Sequence, residues 1–353
     1  MSAEHDFHYP EVPTFNKDGR IPLHILYEAY FSLVDEGWKV EKIYEQEAKF
    51  PNGEIVKLPV YGFLSPSIDD GPEWSLWHVD EIHGEEPSTL QAAKNKIDVF
   101  KSLPYYGIPA VCVFGANPVG YIFDMRYYNQ SRRPNFGPNF GKSVGDFEHL
   151  IPTKLVRHLP RHIFINNETA DTFAHWILRV QQQYKPLLVM DHHEDEFQFN
   201  ILDRDWDSFY SYAYGERKIL QVINPELVRI LEKSGYPMKK NYVTRFHEET
   251  ENGFVINARD GSLDQFFIEN QYLERWKRQY NYRRVHDPFD SFLNLMQYIK
   301  PWTLKTKYAA KAVFTLETVI HHENPQPISD RSKIHEEIID FYPDFYKIVK
   351  EAE

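Results

Sequence analysis

Short apolar runs alternate with amphipathic stretches along most of this chain. Runs at 57–64, 75–79, 110–114, 187–190, 254–257 and 312–316 read as strands. Several are continuously apolar, as expected for strands buried on both faces. Between them, Leu90, Ala93, Ile97 and Phe100 recur at helical spacing behind Ser88 and Gln91, a capping-box signature. Phe173, Trp176, Ile177, Val180 and Tyr184 make a second stripe. Phe289, Phe292, Leu293 and Met296 follow Asp287-Pro288, which reads as an N-cap and a first helical position. A further helical stretch runs from Leu23 to Leu33. Strands alternating with helices predict an α/β fold with its sheet covered by helices. No repeat or low-complexity linker divides the chain. Residues 1–50 read as an N-terminal extension packed on the core, and 51–353 as one domain with a polar-aromatic elaboration at about 196–308.

Composition narrows the field. The formal charge of −12 argues against a nucleic-acid partner, which needs clustered Lys and Arg. Cys112, the single cysteine, excludes an internal disulfide and a cysteine zinc cluster. Its neighbours Val111 and Val113 make it a buried small hydrophobe. No segment approaches the ~18 apolar residues of a membrane span. The first residues lack the basic start and apolar stretch of a secretory signal, so a cytoplasmic protein is expected.

Three strand candidates deliver ionisable groups at their C-terminal ends, where open α/β sheets bind ligands. The first leads into His83-Gly84-Glu85-Glu86-Pro87. The pattern His-x-x-Glu occurs four times, at His8, His78, His83 and His193, so spacing alone singles out none of them. Only His83/Glu86 lies between a strand and a capped helix, in a turn that Gly84 allows to be tight. The second is Asp191-His192-His193. Strand alternation puts Asp191 beside His193 and turns His192 to the other face, so Asp191 is placed to orient the His193 imidazole. The third is Thr315-Leu316-Glu317-Thr318, whose glutamate would be a general base if it borders the same site. Two His and one Glu leave a zinc position open for water, the catalytic type of site.

These segments resemble the zinc metallocarboxypeptidases, a superfamily that includes the aspartoacylase and succinylglutamate desuccinylase branch. The matching pieces come in family order: His83-Gly-Glu-Glu86-Pro87, Asn117-Pro-Val-Gly-Tyr121, Asp191-His-His193 and Thr315-Leu-Glu317-Thr318. They extend over roughly residues 55 to 320. The resemblance implies a mixed, largely parallel eight-stranded sheet flanked by helices. It also implies one Zn2+ per chain on His83, Glu86 and His193, with Glu317 as base. An arginine polarising the scissile carbonyl would be Arg126, followed by Arg132. Family peptidases also carry Asn-Arg to clamp the substrate carboxylate, and this chain has no such dipeptide. Arg132 or Arg133 is chemically suited to that task, beside Asn117. The aromatic residue that closes over substrate is sought at Tyr298 or Tyr308. The implied activity is hydrolysis of a peptide or peptide-like amide. Deacylation of N-acyl amino acids, as in aspartoacylase, is the alternative.

Overall fold

A computed structural model describes residues 7–15, 17–68, 71–126, 168–197, 209–215, 217–235, 250–251, 254–255, 310–321 and 325–353. Their strands are β1 (Lys39–Lys49), β2 (Ile55–Leu64), β3 (Glu73–Asp80), β4 (Ala110–Val113), β5 (Tyr184–Phe197), β6 (Phe209–Gly215), β7 (Thr250–Glu251), β8 (Phe254–Val255) and β9 (Ala312–His321). They form one mixed sheet in the order β1-β2-β4-β3-β5-β9-β6-β8-β7. The central β4, β3, β5 and β9 run parallel, β1–β2, β2–β4, β6–β9 and β7–β8 pair antiparallel, and β6–β8 is parallel. Eight strands were expected; the described sheet has nine, two of them only two residues long. The apolar runs located the centre of the sheet. They missed β1, whose Lys/Glu-rich alternation suits a strand at the sheet edge.

Helices α1 (Leu23–Phe31), α2 (Ser88–Asn95), α3 (Ile97–Ser102), α4 (Pro118–Phe123), α5 (Glu168–Val180), α6 (Arg217–Ser234), α7 (Ile328–Asp340) and α8 (Tyr342–Ala352) cover both faces. Tyr184, read from the sequence as part of the second helical stripe, begins β5 instead. The stripe after Ser88 is split between α2 and α3 at Lys96, and no side chain caps either start, so the expected capping box is not formed. The helix expected after Asp287 lies outside the described residues.

Alternation along the strands sorts the core into two layers. Cys112, Leu188, Met190, Phe314 and Leu316 pack with Leu90, Ile334, Ile338, Tyr342 and Phe345 from α2, α7 and α8. Trp77, Val79, Val113, Val189 and Val313 pack with Phe173, Trp176 and Ile177 from α5. Cys112 is fully buried, as its apolar neighbours predict. Among the described residues, no helix is long and apolar enough to cross a membrane.

Candidate metal centre

The site is assembled at the C-terminal half of the parallel strands. Strand β3 ends at Asp80, and Glu81 turns the chain with a left-handed backbone (φ 50°). His83 and Glu86 follow in the loop before α2. Gly84 serves this loop by its lack of a side chain, not by a positive φ as in a tight glycine turn. It lies against the backbone of Gly120 at the start of α4, where a Cβ would stand 2.0 Å from the Gly120 carbonyl carbon. His193 lies within β5, which extends beyond its apolar run to Phe197.

His83, Glu86 and His193 come together, each almost fully buried. His83 Nδ1 is 2.8 Å from Glu86 Oε1, His193 Nδ1 is 3.0 Å from Glu86 Oε2, and the two Nδ1 atoms are 3.3 Å apart. Bonds of about 2.0 Å at a tetrahedral angle require donor atoms about 3.3 Å apart. The two Nδ1 atoms have that separation already, and each lies nearest a different oxygen of the Glu86 carboxylate, 2.8 and 3.0 Å away. The donor set and its spacing therefore fit a tetrahedral cation such as Zn2+.

Electrostatics supports this fit. Burial opposes a charged Glu86, but His83 and His193 hold its pKa well below the usual carboxylate range. Burial likewise opposes a charged His193, yet Asp191 and Glu86 hold its pKa well above the ordinary imidazole value. Asp191 Oδ1 stands 3.1 Å from His193 Nε2, leaving Nδ1 turned toward His83 and Glu86. Positive charge is thus favoured among these three groups.

Glu317 stands opposite His193 in the parallel β5–β9 register, with its side chain on the same face of the sheet. It is partly exposed. On its other side it pairs with Tyr210 of β6, whose hydroxyl donates to Asp195 Oδ2 at 2.7 Å. Arg126 follows α4, with Nη1 3.4 Å from Glu85 Oε1 and 3.6 Å from Glu86 Oε1. Asn117 is fully buried as the N-cap of α4. Its Oδ1 accepts from the Gly120 amide and its Nδ2 donates to the Arg126 carbonyl, so both ends of the amide expected on substrate are engaged by backbone. Arg132, Arg133, Tyr298 and Tyr308 lie outside the described residues.

Two supports of the loop escaped the sequence reading. Arg20, from a segment that showed no chemistry, donates Nη1 to the carbonyls of Gly84 (3.1 Å) and Tyr121, while Nη2 pairs with Asp18 and Asp124. Glu194 accepts from the Ser88 amide at 3.0 Å and pairs with Arg331 of α7, tying β5 to the start of α2. A lone arginine among polar residues, and a glutamate beside a histidine pair, carry no periodic signal.

No protein-family model matches the chain, and no curated protein matches it in sequence. Solved structures do match in fold. A candidate metallopeptidase from Shewanella amazonensis is 13% identical, with 91% of each chain covered and a TM-score of 0.54. A second, from Shewanella baltica, is 14% identical over 90% of each chain, with a TM-score of 0.51. A third, from Shewanella denitrificans, is 12% identical over 90% of this chain and 88% of that one, also at 0.51. The fold is shared. It is the mixed α/β fold that the sequence motifs imply, and the His83, Glu86 and His193 cluster is a group that could hold a metal ion within it.

Proposed function

We propose that this protein is a zinc-dependent hydrolase that cleaves a peptide or peptide-like amide bond in the manner of a carboxypeptidase. The observation carrying this reading is the convergence of His83 Nδ1, His193 Nδ1 and the Glu86 carboxylate at distances that suit a tetrahedral ion. One zinc per chain would be held by these three groups. When bound, it would supply a Lewis acid that polarises a carbonyl and makes water more acidic.

The chain's own groups have separable tasks. Asp191, with Oδ1 3.1 Å from His193 Nε2, orients that imidazole so that Nδ1 faces the metal position. Glu317, one strand away from His193, takes a proton from the attacking water and delivers it to the leaving amine. Arg126 holds the negative charge that develops on the carbonyl oxygen. Asn117 anchors the Arg126 backbone and so positions that arginine instead of touching substrate. Arg132 and Arg133 are assigned to a substrate carboxylate, for which a planar guanidinium is suited.

Glu317→Gln tests the reading directly. Zinc content should be unchanged, while hydrolysis falls by about 10²–10⁴-fold, the usual contribution of a positioned acid–base. Undiminished hydrolysis would refute the assignment. The absence of an Asn-Arg dipeptide favours a second reading, deacylation of N-acyl amino acids. Short peptides with a free or amidated C-terminus, assayed beside N-acyl amino acids, separate the two. Loss of cleavage on amidation supports the peptidase, and turnover of the acyl amino acids alone supports the deacylase.

A further inference from the structure

On the sheet face opposite His193 and Glu317, six buried side chains join into one hydrogen-bonded chain. Thr318 Oγ1 is 2.8 Å from His335 Nε2, and His335 Nδ1 is 2.8 Å from His192 Nδ1. His192 Nε2 is 2.6 Å from the Tyr342 hydroxyl, which is 2.7 Å from His78 Nδ1. His78 Nε2 is 3.1 Å from Asp80 Oδ2, and Asp80 Oδ1 accepts the Gly115 amide at 2.7 Å. None of the six is more than 1% exposed.

Counting donors gives the chain a direction. A neutral imidazole has one N–H and one acceptor nitrogen, and a carboxylate only accepts. With Asp80 ionised, His78 donates from Nε2 and must accept at Nδ1 from Tyr342. The Tyr342 oxygen then accepts from His192 Nε2, so His192 Nδ1 accepts from His335 Nδ1. His335 Nε2 is left to accept from Thr318. Every link is satisfied with three neutral imidazoles and one charge. Burial favours the neutral form of His335, holding its pKa at about 3.

The chain grips the residues adjoining the proposed working groups. His192 and Thr318 share peptide planes with His193 and Glu317, and Asp80 ends the strand that leads to His83. Tyr342, from α8, is the link in this side-chain network between His78 of β3 and His192 of β5. We propose that these six groups form a single polarised hydrogen-bond chain running from Thr318 to Asp80, and that Tyr342 is thereby a positioning residue for the metal centre. The positioning part rests on the function proposed above; the direction of the chain does not.

Two measurements test it on the full chain. Long-range 1H–15N spectra of metal-free protein, with the three imidazoles assigned by single His→Gln substitutions, should show His78 and His192 protonated at Nε2 and His335 at Nδ1. The reverse set of tautomers, or a doubly protonated His78, overturns the proposed direction. Tyr342→Phe keeps the ring and removes the hydroxyl. It should weaken zinc binding about tenfold in chelator competition, the lower end for lost outer-shell partners, and shift the cobalt(II) absorption bands. Tyr346→Phe is the control, because it removes a hydrogen bond from the same helix to Trp74 on β3. It should bind both metals like the parent. Equal behaviour of the two variants overturns the positioning role. Failure of the parent protein to bind either metal overturns the metal reading itself, and the tautomers still decide the chain's direction.

Discussion

A methyl group on Gly84 would meet the Gly120 carbonyl carbon at 2.0 Å and the Tyr121 nitrogen at 2.4 Å, both of them backbone atoms that cannot swing away. Gly84→Ala therefore forces the loop between His83 and Glu86 off α4. Overpacking of this kind typically costs about 1–3 kcal/mol, which denaturant unfolding would read. Zinc affinity should fall with it, because the displaced residue lies between two of the three donors. Full stability together with parental zinc affinity would show that the loop does not depend on this contact. Arg20 acts on the same loop from outside. Its guanidinium satisfies the Gly84 and Tyr121 carbonyls while its charge meets Asp18 and Asp124, so a deeply buried cation is left with few unmet demands.

At the scale of elements, α5 is fastened to the edge strand β1 through Glu41. Burial alone would raise the pKa of this carboxyl, but hydrogen bonds from Arg179, Lys39 and Trp176 bring it to about 2. A depressed folded-state pKa adds stability above the unfolded value of about 4.3, lost as pH falls toward 2. Glu41→Gln should therefore lower the melting temperature at pH 7, with a gap from the parent protein that closes as pH drops through that window. A gap that is constant with pH would sink the idea. The central elements were legible in the sequence because each states its burial locally: Val111, Val113, Val189 and Val313 belong to uninterrupted apolar runs. Strand phase also placed His193 and His192 on opposite faces. What was not legible depends on long-range partners. The Lys/Glu pattern of β1 looks solvated until β2 lies beside it, and Ser88 reads as a cap until Glu194, 106 residues away, takes its amide. Nor does the sequence show that the Asn117 side chain donates to the Arg126 carbonyl and accepts from the Gly120 amide.

Across the whole molecule, the proposed ligands are 110 residues apart from His83 to His193, so the unfolded chain presents no preformed site. Zinc should bind the folded state selectively and stabilise it, by about 2.7 kcal/mol when free metal exceeds the dissociation constant a hundredfold. Thermal melting with added zinc and then with chelator would show this as a reversible shift. Identical curves would count against a site of useful affinity. The hydrogen-bonded chain beneath the sheet adds an order of events. Ribosomes add about 5–20 residues per second from the N-terminal side. The strands bearing His78, His192 and Thr318 are thus complete before the hydroxyl of Tyr342 exists. In that interval two core imidazoles lack the partner that orients them, so a nascent chain can hold its sheet before its centre is set. Maturation of the site would then follow the docking of α8 and not the closing of the sheet.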